Sequence, residues 1–319
     1  AFALTGRPEF ALKALELLRS FVAKCPFVLE ELFFEDHDAH FGGPGNHTLT
    51  VTYRLFRCID LLYSGAIQAP GLYRDEDVFW IVKQLWFLAM QFYRLVGDDL
   101  RRDNHHLVDH GHAPFVMGAL FPEFDVGKRM ATEGARVIKY HFGHNLMPDG
   151  GYAEHSASYQ YHITYHFLHP LGVAQAAGIK LFSASQVEKL RKWIEFNARL
   201  CLPNGSIPPI GDETGRQFTH LFGALAAPVL DPRLAAMARA LGFEPGKPVH
   251  ARASEIGKRL ATWRPGTPHQ TGLSPYYLTG GQAAKPDKKA LPVPATARYP
   301  HGGYTFFRGA WDRDADYLA

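Results

Sequence analysis

The sequence predicts a mainly α protein: helix pairs forming an incomplete (α/α) toroid, followed by the start of an antiparallel β-sandwich region. Three observations predict it. Apolar residues recur with helical period almost continuously up to about residue 262. Glycines such as Gly65, Gly97, Gly178, Gly205 and Gly242 end the helical runs. Beyond them prolines, small residues and charges take over, and a short stretch with strand chemistry closes the chain.

Each element has its own signal. Pro8 sits at a natural first helical turn, and Phe10, Ala14, Leu17, Leu18 and Phe21 recur along one face up to Ala23. Asn46 can cap a helix running to Tyr63. Asp75 to Val96 is strongly apolar and stops at Gly97. Further helices are expected over 105–120, 126–143, 157–177, 184–201, 217–229, 231–241 and 252–262. Short loops between long helices suggest stacked pairs. No repeat of fixed period supports a regular solenoid. Several helices are apolar over much of their circumference, which suits inner helices covered by outer ones, as in a toroid. Residues 1–262 are therefore read as the helical domain. Residues 263–300, with Pro265, Pro268, Pro275, Pro286, Pro292, Pro294 and Pro300, read as a linker or wrapping coil. Within 301–319, Gly303–Arg308 and Ala315–Ala319 read as strands. Two strands alone are marginal, so the chain is expected to end as a β domain begins.

Composition narrows the function classes. The formal charge of +3 is too mild to argue for nucleic acid, yet permits an anionic glycan or small molecule. The 17 His suit proton transfer, metal binding or anion contacts, and the 23 Phe, 14 Tyr and 5 Trp suit a thick core or sugar-stacking surfaces. Cys25, Cys58 and Cys201 are widely spaced and read as buried thiols, without a disulfide framework or a zinc-ligand spacing. No apolar run is long enough for a membrane span. No signal peptide is visible, but the chain opens on helix-like sequence without Met. A periplasmic or secreted location is the expectation, with the cytoplasm as the alternative. Nothing in the sequence speaks to oligomeric state.

Three constellations can carry chemistry. Arg101 to His112 holds His105, His106, His110 and His112. His106 and His110 have helical spacing for a metal, but the intervening Leu107, Val108 and Asp109 lack the glutamate of zinc proteases. The plainer reading is a polar helix start capped by Asp103 or Asn104; the remaining one is an anion site using Asn104 and a histidine. The second constellation is a Pro148-Asp149-Gly150-Gly151 turn followed by Glu154, Ser156 and Tyr159 at the mouth of an apolar helix. Tyr159 is placed to reach a cleft; for Tyr152, Tyr161 and Tyr165 simple packing is preferred. The third is the polar loop from Leu202 to Arg216, with Asp212 and Glu213. Adjacent carboxylates rarely flank one bond, so a cleft-shaping role or a salt bridge with Arg216 is the better reading.

Taken in order, Asn104-His105, Leu120–Phe124, Asp149-Gly150, the Glu154, Ser156, Tyr159 set, Ile210-Gly211-Asp212 and Gly302–Leu318 resemble the heparinase II/III-like polysaccharide lyase superfamily, which includes alginate lyases. The resemblance implies an (α/α) toroid, a β-sandwich and a cleft for a uronate chain. Carried over by position, the resemblance implies that Asn104 binds the uronate carboxylate, that His105 binds it or acts as base, and that Tyr159 is the acid and a second candidate for the base. Arg54, His106, Glu154 and Arg216 are expected to contact substrate. The family also uses a β-domain histidine and, in several members, a structural zinc. Both are expected beyond Ala319, so no cofactor or metal ligand is assigned within the chain. Two positions depart from the family pattern, His106 after the Asn-His pair and Gln160 after Tyr159 where several relatives have histidine, and either could alter substrate choice.

The chemistry explains the residue types. In β-elimination a base removes the C5 proton of a uronate and the C4–oxygen bond breaks. Neutralising the neighbouring carboxylate stabilises the enolate-like transition state. Asn104 and a histidine can donate to it. A tyrosine near its ordinary pKa of ~10 is a good acid and a poor base, and a cation such as His105 or Arg54 would favour its phenolate. The expected partner is thus an acidic polysaccharide, of the alginate or heparin and heparan type. A uronate C5-epimerase is the nearest alternative. A glycoside hydrolase and a non-catalytic glycan-binding protein follow.

Overall fold

The computed structural model describes residues 7–24, 55, 58–62, 69–95, 105–211, 230, 296–311 and 317–318. The side chains of 90–95, 105–110, 158, 161, 162 and 318 fall outside that description. So do the helices expected at 217–229, 231–241 and 252–262, most of the one at 46–63, and most of the proline-bearing stretch. The described helices are α1 (Pro8–Lys24), α2 (Asp75–Leu95), α3 (His105–Leu120), α4 (Gly127–His144), α5 (Ala157–Ala176) and α6 (Ala184–Leu200). Three strands follow: β1 (Ala297–Tyr299), β2 (Tyr304–Arg308) and β3 (Tyr317–Leu318). They form one antiparallel sheet in the order β1-β2-β3, with Arg298 opposite Thr305 and Arg308 opposite Tyr317. Helices first and antiparallel strands last is the expected class. β1 was not foreseen: it lies inside the proline-bearing stretch and pairs only because the turn at 300–303 folds it back on β2.

The chain divides into two compact units. The first holds residues 7–24, 55–62, 69–95 and 109–137 among those described. Here α1 opens at Pro8, whose missing N–H costs nothing at a helix start. Its inward residues Ala11, Leu15 and Leu18 are buried. Tyr73 donates its hydroxyl to the Ala11 carbonyl at 3.4 Å, and Arg19 pairs with Asp77 at 2.6 Å while lying over the Trp80 ring. Cys58, Ile59, Leu61 and Leu62 add to the core. The α3 and α4 backbones meet along glycines. A Cβ at Gly134 would lie 2.5 Å from the Phe115 nitrogen, and one at Gly111 2.8 Å from the Val137 side chain. Phe121 and Phe124 stack in the turn between these helices, 5.7 Å centroid to centroid.

The second unit holds residues 105–108, 138–211, 230 and the strands. Phe142, Phe167, Phe182 and Trp193 cluster at its centre, with ring centroids 4.9–5.3 Å apart for the closest pairs. Its core is also polar. Trp193 donates to Gln160 Oε1 at 2.8 Å, and Thr164 donates to the Gln160 carbonyl at 2.6 Å. Asn197 donates to the Trp193 carbonyl at 3.0 Å and to Thr164 Oγ1 at 3.4 Å. The Trp193–Gln160 and Asn197–Thr164 bonds join α5 to α6. Buried polar groups are tolerated when bonded in this way. Cys58 and Cys201 are free buried thiols, as expected; Cys25 lies outside the described residues. Burial pushes the Cys201 thiol up to about 12.

The sheet is seated on the C-terminal half of α6. Phe196 makes edge contacts with Tyr299 at 4.7 Å and with Tyr304 and Phe306 at 5.5 Å. Helix ends leave carbonyls without intrahelical partners. At the end of α6 the strands supply them: Tyr317 donates to the Arg199 and Leu200 carbonyls at 3.0 Å, and Arg308 donates to that of Cys201. The Arg308 guanidinium lies between the Trp311 and Tyr317 rings, at 4.5 and 4.8 Å. Among the described residues no helix is long and apolar enough to cross a membrane.

Candidate functional site

The loop from Asn145 to Ser156 is built as a narrow hairpin. Leu146 bridges Tyr152, Met147 donates to the Gly151 carbonyl at 2.8 Å, and Ala153 donates to that of Asn145 at 3.0 Å. Gly150 turns the chain with φ 100°, a conformation that suits glycine. It must also be glycine for space, since a Cβ there would come within 2.8 Å of Phe196 Cβ. Lys189 holds the loop from beside, donating to the Leu146 carbonyl at 2.7 Å; burial lowers its pKa. Tyr152 is buried, which is the packing role expected of it.

The loop ends at the mouth of α5. His155 has φ 52°, left-handed backbone in a residue with a side chain, a strained state of the kind that clusters at working sites. Ser156 precedes the helix, and its side chain makes no capping bond. Tyr159 stands in the first turn of α5 and is half-buried, and Glu154 is half-buried on the loop just before it. Gln160, in contrast, is fully buried and tied to Trp193. The expectation that it bears on substrate choice is corrected: its carboxamide faces the α5–α6 core, where the α5 register buries it.

Segments far apart in sequence converge on this loop. Asp149 Oδ2 accepts from the backbone nitrogens of His301 at 2.7 Å and Gly302 at 3.1 Å. Tyr304 donates its hydroxyl to the His155 carbonyl at 3.3 Å. Ala157 donates its N–H to the Ile210 carbonyl at 3.1 Å, and Gly211, with φ 69°, packs against Ser156 so closely that a Cβ would lie 3.0 Å from its Cα. The segments around Asp149, Ile210 and Gly302, separate in the sequence, are thus one hydrogen-bonded assembly. Burial raises the hydroxyl pKa of Tyr304 and pushes that of Tyr299 up to about 12.

The other sequence-derived residues stand as follows. His105 and His106 open α3, and their backbones belong to the same unit as Glu154 and Tyr159; their side chains are outside the described set. Asn104, Arg54 and Arg216 lie outside the described residues. Among the described residues no group of three or more His, Cys, Asp or Glu side chains could hold a metal ion. The sequence reading passed over His301, an exposed residue of the β1–β2 turn whose amide is fixed by Asp149. The signal for it was a histidine followed by two glycines ahead of a strand, a short turn that presents its side chain.

The profile of the family described as Heparinase II/III N-terminus matches residues 1–224. No curated protein matches the chain in sequence. Three solved structures share its fold. A heparinase III matches 98% of the chain at 16% identity with a TM-score of 0.58. A heparinase III gene product matches 99% at 17% identity and 0.56. The heparan sulfate lyase HepC from Pedobacter heparinus matches 99% at 17% identity and 0.53. The chain spans 41–44% of the length of these structures. With more than half of its residues matched by that profile, and a mainly α fold with closing antiparallel strands shared with those structures, the chain belongs to the heparinase II/III N-terminus family.

Proposed function

We propose that the protein is a polysaccharide lyase that cleaves a uronate-containing acidic polysaccharide by β-elimination, with Tyr159 as its acid. The observation that carries this reading is the setting of Tyr159. It is half-buried in the first helical turn, at the end of a loop braced by Asp149, Tyr304 and Ile210. Tyr165, fully enclosed further along the same helix, shows the contrasting case of a tyrosine that only packs.

In the proposed reaction Asn104, joined by His105 where His105 is not the base, donates to the uronate carboxylate and offsets charge developing on it. A base, His105 or the Tyr159 phenolate, takes the C5 proton. The electron pair forms the C4–C5 double bond, the C4–oxygen bond breaks, and the Tyr159 hydroxyl protonates the departing oxygen. Arg54, His106, Glu154 and Arg216 are assigned to substrate contacts. His301 is the candidate for the histidine that the lyase resemblance expects from the β region. The names of the solved relatives favour a heparan-type glycosaminoglycan over alginate as substrate. No cofactor is assigned to the chain's own residues.

The test is to incubate the full-length protein with a panel of uronate polysaccharides and follow unsaturated uronate by absorbance. Tyr159→Phe is expected to abolish product while leaving substrate binding within a few fold. Full turnover by that variant would remove Tyr159 from the mechanism. Altered uronate stereochemistry at unchanged chain length would favour the C5-epimerase instead.

A further inference from the structure

We propose that Asp149 is a positioning residue: its carboxylate clamps the β1–β2 turn onto the loop that presents Tyr159, so that the strands set the place of the helix mouth. The proposal deepens the lyase reading and rests on it for the role of Tyr159. It does not rest on it for the clamp itself, which is a matter of hydrogen bonds.

The distances show where the carboxylate is committed. An aspartate at a turn commonly bonds an amide two residues on. Here that local bond, from Gly151 N to Oδ1, is long at 3.4 Å. The bonds to the distant amides are shorter: 2.7 Å to His301 and 3.1 Å to Gly302. Two neighbouring N–H groups that point out of the β1–β2 turn thus converge on one oxygen. A charged acceptor makes such bonds shorter and stronger than neutral ones.

The surfaces around the clamp are shaped for it. A Cβ on Gly151 would lie 2.9 Å from Gly302 Cα, so the two backbones touch only because neither residue has a side chain. Tyr304, the first residue of β2, then reaches past the loop to the His155 carbonyl at 3.3 Å. His155 is the residue with φ 52°, just ahead of Ser156 and the first turn of α5. Tyr299 and Tyr304 meet Phe196, the same ring that crowds Gly150. The turn and the loop therefore share Asp149, a tyrosine hydroxyl and an aromatic floor. A shift of one moves the other, and with it the start of the helix bearing Tyr159. Misplacing a reacting group by about 1 Å can cost on the order of a hundredfold in rate.

The experiment uses the full-length protein with Asp149→Ala and Asp149→Asn, wild type and Tyr159→Phe alongside. Amide hydrogen exchange is read over 300–306 and 150–160, and kcat and KM are read on the polysaccharide the wild type cleaves. Asp149→Ala is expected to speed exchange in both segments together and to lower kcat by about tenfold to a hundredfold with KM little changed. Asp149→Asn keeps an acceptor oxygen without the charge, and is expected to recover most of the protection and of kcat. It carries the test if the alanine variant does not fold. Unchanged exchange at 300–306 overturns the clamp whatever the activity. Exchange that speeds in both segments while kcat stays at the wild-type value overturns the positioning role. A wild type that yields no unsaturated product overturns the lyase reading, and leaves the clamp to be judged by exchange alone.

Discussion

Helices α5 and α6 both begin after a serine in extended backbone, Ser156 and Ser183, yet the two starts are held by opposite means. At α6 the cap is local. The Ser183 side chain accepts from the Gln186 backbone, and the Gln186 side chain accepts from the Ser183 backbone at 2.9 Å, a complete capping box. At α5 the serine side chain caps nothing, and its Oγ is buried with no hydrogen-bond partner among the described residues. That start is fixed instead by the Ile210 carbonyl, the Tyr304 hydroxyl and the Asp149 clamp. A helix start that serves only the fold can be specified by four consecutive residues. One that carries a candidate acid is under-specified locally and fixed by distant chain, the pattern expected where function competes with local rules.

The two ends of α5 offer the largest test of this contrast. Gly150, in the loop before the helix, and Gly178, just after it, both have positive φ, 100° and 68°. Around Gly178 a Cβ would meet nothing within 4 Å, whereas at Gly150 it would meet Phe196. Gly178→Ala should therefore cost only the backbone strain, about 1–2 kcal/mol. Gly150→Ala should add overpacking of about 1–3 kcal/mol to the same strain, for a total of about 2–5 kcal/mol. Urea midpoints of the two variants check the difference. Equal losses would show that the loop can move off Phe196, and that the mouth of α5 is less tightly held than its contacts imply.

The middle of α5 should respond to pH. His169 is fully buried, its ring stacked on Tyr165 at 5.2 Å, with His166 close by. Burial first, and His166 second, push its pKa down to about 3. A histidine kept neutral in the fold protonates near its ordinary value of about 6.5 once unfolded. Between those values the unfolded chain binds more protons, so stability is whole above about pH 6.5 and falls as pH drops, by up to about 1.4 kcal/mol per unit. Urea midpoints from pH 7 to pH 5 should fall for the wild type and fall less for His169→Phe. Identical slopes would assign the acid sensitivity to other groups.

The same contrast explains what the sequence could reveal. The bounds of α1 to α6 were legible because Pro8, Gly97, Gly178 and the apolar periodicity act within a few residues of themselves. Tyr159 was legible as a helix-mouth residue for the same reason. Asp149 was legible as part of a turn and of the lyase resemblance but not as a clamp, because its firmest partners lie at His301 and Gly302, about half the chain away. Strand β1 was missed because Pro300 and its proline neighbours mask a three-residue segment whose pairing is decided by β2. Gln160 stood out only against the histidine of several relatives, a comparison blind to the helical register that turns its side chain to Trp193.

The smallest effects return to the two serines, and they differ in sign. Ser183→Ala removes one half of the capping box and should cost about 1 kcal/mol. Ser156→Ala replaces a buried hydroxyl that has no bond to lose among the described residues with a methyl of similar size. Removing an unsatisfied buried polar group is neutral or stabilising, so the change should lie within about 0.5 kcal/mol of zero or favour the fold. Thermal unfolding of both variants under one set of conditions decides it. If Ser156→Ala costs as much as Ser183→Ala, its hydroxyl has a partner beyond those described, and the α5 mouth is locally braced after all. If it is silent in stability yet lowers the rate of the proposed elimination, the hydroxyl is kept for the substrate rather than for the helix.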